Sequence, residues 1–415
     1  MHLYWDVAWF GVAFGSTLSF LAVFAARLGA TGWQIGLLTA GPALVNVLFT
    51  LPAGRWLQNQ ALGPAVTQTA IWHRVGYFLL IPLPLFLPHQ LQVWAVLAIT
   101  LLMAIPGSAL AVGFNALLAA TVPPEARGVV VGRRNGLLAA TIMLSFVLSG
   151  WILDLLSFEW GYVVVFTLGA LGVALSTYHL YRIRVPESPP FTGRLVKDHA
   201  QPGRVIGFSG VSPHRLNIGL RLSLRWQPGK AGILGDISAR FWGVMAAFFL
   251  FHFAQFLPAA LFPLFWVHEL DLSDGVIGWT NALFYLTMLI FAPLLGPLAG
   301  RLGNYRLMAV GSVLLALYPL LVALSHGLVL LIAANVIGGI VWAILSGALA
   351  NRLLEHVPDD DRPAHLALYN LALNVATLSG TMLGPLLAQW MGLREALLLV
   401  VVMRVISGLA LSRWG

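Results

Sequence analysis

The sequence predicts an all-α membrane protein, with twelve transmembrane helices in two pseudo-symmetric six-helix bundles. Three observations predict it: scarcity of charge, the spacing of the apolar runs, and an internal repeat. Hydrophobic residues make up 59% of the 415 positions and charged residues 9%. A soluble domain of this size carries about 25% charged residues because its surface must face water. So little charge cannot cover a core, and the apolar surplus must face lipid.

A helix needs roughly 20 mostly apolar residues to cross the hydrocarbon core, and irregular backbone cannot face lipid. On that basis the spans fall at 7–27, 34–54, 66–87, 92–120, 133–155 and 160–181, then at 241–266, 276–299, 306–325, 328–350, 365–390 and 395–413. The first apolar run lacks a basic segment before it and reads as a retained span rather than a cleaved signal. Residues 1–181 form the first bundle, 182–240 a basic linker and 241–415 the second bundle.

Basic residues stay on the cytoplasmic side of spans. With an even number of spans, nineteen Arg and Lys fall on the side of the termini and linker, and two (Arg27 and Arg394) on the other. Both termini and the linker are therefore expected in the cytoplasm, with the chain in the cell membrane. The net charge of +8 is then a topological signal that also attracts anionic headgroups. No folded basic domain supports a nucleic-acid role.

The absence of Cys excludes disulfides, zinc-thiolate sites and thiol catalysis. No Gly-x-x-x-x-Gly-Lys-[Ser/Thr] loop is present, which argues against an ATP-driven pump. No His/Glu metal cluster or hydrolase elbow stands out, so neither cofactor nor metal is expected.

The internal repeat is legible. Val122-Pro123-Pro124-Glu125-Ala126-Arg127 returns as Val357-Pro358-Asp359-Asp360-Asp361-Arg362 at a displacement of 235, where Asn135 also matches Asn370. Ala53-Gly54-Arg55-Trp56-Leu57 resembles Ala299-Gly300-Arg301-Leu302-Gly303. Two six-helix halves in the same orientation are one of the known transporter plans.

On these features the chain resembles the major facilitator superfamily over nearly its whole length. The family's loop after the second helix reads roughly Gly-x-Leu-Ala-Asp-Arg-x-Gly-Arg-Arg. Gly296-Pro297-Leu298-Ala299-Gly300-Arg301-Leu302-Gly303 matches it with Gly where Asp is usual. The first half keeps Arg55 but has Gly54 for that Asp. The Gly-Pro motif of drug–proton antiporters is missing from the fifth span; Gly380-x-x-x-Gly384-Pro385 occurs in the eleventh instead. The resemblance implies a central cavity lined by the first and seventh helices, and loop charges (Arg55, Arg127, Arg301 and Arg362) that steady a closed cytoplasmic gate.

Polar groups in mid-span are costly and point to function. His252 and Gln255 share one face of the seventh span and are the first candidates for substrate contact. Asn46, Asn281, Asn335 and Asn374 are further candidates; interhelical hydrogen bonding is the alternative for all six. His73, Arg74 and Arg404 are intramembrane charge candidates. Arg74 is expected to pair or to snorkel to the cytoplasmic face, and Arg404 to pair structurally. No Asp or Glu sits near the middle of a span, and Asp6 lies at a helix end. Proton coupling would fall to His252, His73 or Asp6. The spacings Gly11/Gly15 and Ala292/Gly296/Gly300 permit close helix contact. The alternation from Leu216 to Trp226 in the linker is strand-like.

The expected function is transport of a small organic solute by alternating access, as a monomer, with protons a candidate coupling ion and an amphipathic solute favoured. An integral membrane enzyme acting on lipid and a transport-inactive sensor or scaffold are the alternatives.

Overall fold

The computed structural model describes residues 1–183, 239–357 and 362–415; the strand-like stretch 216–226 lies outside them. All regular elements described are helical. Twelve helices are long and apolar enough to cross a membrane. They are α1 His2–Arg27, α2 Gly32–Thr50, α3 Leu62–Phe86, α4 His89–Leu118, α5 Val129–Leu155 and α6 Phe158–Tyr181, then α7 Phe241–Glu269, α8 Asp274–Leu302, α9 Asn304–Ala323, α10 Leu328–His356, α11 Leu368–Met391 and α12 Leu393–Trp414.

Local chemistry sets the ends and breaks. Thr31 and Gln34 form a capping box before α2, the Thr31 N–H donating to Gln34 Oε1 at 2.8 Å. Gly303, at φ +79°, makes the turn from α8 to α9 in a conformation that favours glycine. Prolines remove donors and interrupt helices. α7 opens into a turn at 257–260 around Pro258, and α9 into a turn at 315–316 ahead of Pro319. α1 widens into a π-turn at Phe14–Leu18.

Two helices start earlier than the apolar runs suggest. α1 begins at His2, so Asp6 is inside it. The helix that contains α5 begins at Pro124, which places Arg133 and Arg134 well inside a helix rather than at its first residues.

The packing is two-fold pseudo-symmetric. In the first half α1 packs on α5 and α6, α2 on α4, and α3 on α4 and α6. In the second half α7 packs on α11 and α12, α8 on α10, and α9 on α10 and α12. Adding six to each helix number in the first set reproduces the second. The halves meet through α5 with α8 and α2 with α11, which exchange under the same operation.

Glycines let the halves approach at the end of the bundle opposite the termini. A Cβ on Gly278 would lie 2.5 Å from Phe146 O, and one on Gly150 would lie 2.8 Å from Asp274 O. On the other interface a Cβ on Gly32 would lie 2.7 Å from Pro385 Cβ. At the termini end, Cβ atoms on Gly132 of α5 and on Gly296 and Gly300 of α8 would meet nothing within 4 Å. Among the described residues, the close glycine contacts between α5 and α8 thus fall at the end opposite the termini, and the glycines of these helices at the other end make none.

Candidate functional site

The closed end carries a polar latch between the halves. Arg27, in the last turn of α1, donates to Asp274 Oδ1 from Nη2 at 3.0 Å and from Nε at 3.2 Å, and also to Leu272 O. Tyr162 of α6 donates to Asp274 Oδ2 at 3.1 Å. Asp154 of α5 accepts from the Gly275 N–H and from Ser273 Oγ, each at 2.9 Å. An acid at the first free N–H groups of a helix suits the dipole there. Three helices of the first half thus grip the start of α8. On the spans read from sequence, Asp154 falls at the end of the fifth and Asp274 just ahead of the eighth, and Tyr162 carries no signal.

A second polar cluster lies inside the first half. Asp6 is buried and accepts from Ser176 Oγ at 2.7 Å; Arg134 Nη2 lies 3.3 Å and Arg74 Nη2 3.7 Å from its carboxylate. Arg74 also donates to Thr177 Oγ1 at 2.6 Å and to Ser176 Oγ at 2.8 Å. Arg134 stacks over Phe114, 4.5 Å from the ring centroid. Arg74 therefore does not snorkel: at 6% exposure it places both Nη donors inside the bundle, while its Nε has no hydrogen-bond partner among the described residues. Arg134, which the sequence places at the start of the fifth span, is likewise buried, because its helix starts ten residues before it.

In the second half, His252 Nε2 lies 2.9 Å from the Tyr369 hydroxyl, which joins α7 to α11. Phe248 and Phe251 flank the imidazole. Gln255 is half-buried, and among the described residues its Oε1 has no hydrogen-bond partner. Phe249 and Phe253 stack on the same helix with centroids 6.3 Å apart, both half-buried.

The asparagines sit on four helices. Nδ2 of Asn281, Asn335 and Asn374 donates one turn back on its own helix, to Ile277, Leu331 and Asn370 carbonyls at 2.8, 3.0 and 2.8 Å. Among the described residues, Asn335 Oδ1 is buried without a hydrogen-bond partner. Asn46 is buried in α2. His73 belongs to the α3–α4 crossing, where Nδ1 donates to Met103 O at 2.7 Å. Arg404 is 3% exposed and donates to backbone carbonyls of α7 and α9.

Arg55 and Arg301 are exposed at the end of the bundle that holds the termini, while the side chains of Arg127 and Arg362 lie outside the described residues. The expected close contact at Gly296 and Gly300 is not made here, as both face open space. Gly11 and Gly15 do serve close packing: a Cβ on Gly15 would lie 2.5 Å from Ile142 O, and one on Gly11 would strike Thr141. Among the described residues no group of His, Asp and Glu could hold a metal ion.

Twelve membrane-length helices in two pseudo-symmetric bundles, latched together at one end, define a multi-pass membrane protein built on a transporter plan. The model of the Major Facilitator Superfamily matches residues 7–273 and 244–414, and the chain belongs to that family, whose members are transporters and not enzymes. A curated relative named putative sugar efflux transporter, from Deinococcus radiodurans, is 27% identical over 413 residues, covering 98% of this chain and 93% of the relative. The quinolone resistance protein NorA of Staphylococcus aureus is 24% identical over 120 residues, 29% of this chain and 30% of that protein. Among solved structures, a D-xylose–proton symporter superposes with TM-score 0.71 at 15% identity, covering 99% of this chain and 95% of that one. The nucleoside transporter NupG superposes at 0.68 with 14% identity, covering 100% and 98%. These two likenesses show the fold alone.

Proposed function

We propose that the chain is a secondary exporter of a small organic solute, saccharide-like or amphipathic, working by alternating access as a monomer. One observation carries this reading: the halves are tied by Arg27, Tyr162 and Asp154 to the start of α8 at one end, while Gly132, Gly296 and Gly300 near the other end of α5 and α8 meet nothing within 4 Å. The bias of nineteen basic residues to two supports a cytoplasmic position for the end without those contacts. The state is then inward-open, with the outer face latched and solute admitted from inside.

His252 and Gln255 are the first solute contacts, supported by Asn46, Asn281, Asn335 and Asn374. An amide oxygen buried without a donor, beside stacked phenylalanines, suits a solute that offers hydroxyl groups and an apolar face. The full-length relative's name as a sugar efflux transporter places saccharides first in the panel. The coupling ion is a proton, with Asp6 the carboxylate held inside the first bundle. Anionic headgroups bind the basic cytoplasmic face, where Arg55 and Arg301 are exposed.

The test is flux in proteoliposomes of the purified protein, across labelled saccharides and amphipathic dyes, with and without an imposed proton gradient. Gradient-driven flux that His252→Ala or Gln255→Ala abolishes supports the carrier and its site. Flux indifferent to the gradient turns the coupling to facilitated diffusion. Flux unchanged in both variants removes them from the site, and no flux for any solute favours the sensor alternative.

A further inference from the structure

Two helices of the second half carry carbonyls that their own prolines leave without donors. Pro258 has no N–H, so Ala254 O loses its partner one turn on. The Ala259 N–H turns instead to Phe256 O at 3.0 Å, which releases Gln255 O as well. In α9, Pro319 removes the donor for Leu315 O, which keeps only a 3.3 Å bond from the Tyr318 N–H.

One side chain serves all three. Arg404, in the middle of α12, donates from Nε to Ala254 O at 3.5 Å, from Nη2 to Gln255 O at 3.4 Å and from Nη1 to Leu315 O at 2.9 Å. A guanidinium at that depth is costly. A neutral residue there would leave the α7 carbonyls buried and unpaired.

The pseudo-symmetry shows that the second half alone uses this device. Trp5-Asp6-Val7 of α1 aligns with Trp242-Gly243-Val244 of α7 at a displacement of 237, and Phe158, which opens α6, with Leu393, which opens α12, at 235. On that register Thr17 corresponds to Ala254, and Gly169 to Arg404. The first half makes the equivalent crossing with small groups: Thr17 Oγ1 donates to Val165 O at 3.4 Å, and a Cβ on Gly169 would strike Thr17. There, too, the crossing falls on an irregular turn, the π-turn of α1. Each half therefore has a break in its first helix braced by its last, and in the second half the brace is a cation.

We propose that Arg404 is a positioning residue for transport: it braces the break in α7 and so sets how the segment bearing His252 and Gln255 faces the solute. This rests on the reading of α7 as a pathway helix. The brace would also tie α9 to α7, so that the three helices move together when the halves rock.

The chain contains no Cys, so single cysteines report without background. Phe249→Cys and Phe253→Cys would be labelled with a membrane-impermeant maleimide in proteoliposomes, with Leu137→Cys on α5 as control. Arg404→Ala is expected to change the labelling rate on α7 about tenfold, the population change set by losing roughly one buried hydrogen bond, and to leave the control unchanged. Pro258→Ala supplies an N–H for Ala254 O, so Arg404→Ala/Pro258→Ala should return most of the way to the original rates. Unchanged α7 labelling in Arg404→Ala overturns the proposal, as does equal damage with and without Pro258. If Arg404→Ala does not fold, Arg404→Lys with and without Pro258→Ala makes the same comparison. Labelling needs no solute, so failure of this inference and failure of the export reading are distinguishable.

Discussion

Asp274 Oδ1 lies 3.0 Å from Arg27 Nη2, and that ion pair ties the end of α1 to the start of α8 across the two halves. Their side chains are 10% and 22% exposed, so the pair is only partly screened. Hydrogen bonds between charged groups contribute about 1.5–3 kcal/mol when so placed. Asp274→Asn should weaken the latch by that order and raise the reactivity of a cysteine at Leu270 toward an impermeant maleimide added from the outer face. Arg27→Asp combined with Asp274→Arg should recover part of the closure, although Tyr162 loses its acceptor. A double-mutant cycle with no coupling between Arg27 and Asp274 would remove the pair as a latch.

Two glycines of α8 should respond differently to the same change. Gly278 abuts Phe146 O and the Gly150 backbone, whereas Gly296 faces open space. Gly278→Ala forces α5 and α8 apart, and overpacking of this kind costs about 1–3 kcal/mol. Gly296→Ala meets no neighbouring helix, and its strain against the following Pro297 offsets the roughly 0.5–1 kcal/mol it adds in helix preference. Thermal unfolding in detergent should therefore fall for the first variant and hold for the second. If Gly296→Ala impairs flux while leaving stability intact, α5 and α8 must close on each other there during the cycle.

The helical class and the twelve spans follow from hydropathy, because lipid leaves the backbone few options; the packing order does not, since no residue pattern in the sequence names helix neighbours. The polar sites were less legible, for a physical reason. Hydropathy places a span edge where charge begins, so Asp6 and Arg134 fell at or outside the edges of 7–27 and 133–155. In the structure those helices run past the charges and bury them against each other. Asp274 fell in a loop by the same logic. Arg404 was legible as an anomaly, but its partners are backbone carbonyls freed by Pro258 and Pro319, and no residue type announces them. His252 and Gln255 stood out because polar residues in an aromatic helix are rare; their neighbour Tyr369 did not.

The Asp6 cluster gives a stability prediction with a definite sign. Asp6 lies against Arg74 and Arg134, 6% and 2% exposed, and Ser176. Removing the acid leaves two buried cations, and breaking a buried pair in this way costs about 3–5 kcal/mol. Asp6→Asn should lower the midpoint of thermal unfolding more than Asp274→Asn does. Asp6→Asn/Arg134→Gln should lower it less than the two single changes added, since one unpaired charge goes with the acid. Strict additivity would mean that the 3.3 Å contact carries no energy.

His252 and Tyr369 can be separated as structure and as site. Tyr369→Phe keeps the ring that meets Phe248 edge-on at 5.7 Å but removes the hydroxyl 2.9 Å from His252 Nε2. A neutral buried hydrogen bond contributes about 0.5–1.5 kcal/mol, so a small loss of stability is expected from Tyr369→Phe alone. The kinetic effect decides the role of the imidazole. If His252 contacts solute, freeing it from its tether should raise the half-saturation concentration of efflux more than it lowers the maximal rate. His252→Ala should then mask any further effect of Tyr369→Phe, because the tether has nothing left to orient. Equal losses of stability with unchanged efflux kinetics in Tyr369→Phe and His252→Ala would make the pair a bolt between α7 and α11, and would shift the solute site toward Gln255, whose amide oxygen is still without a donor.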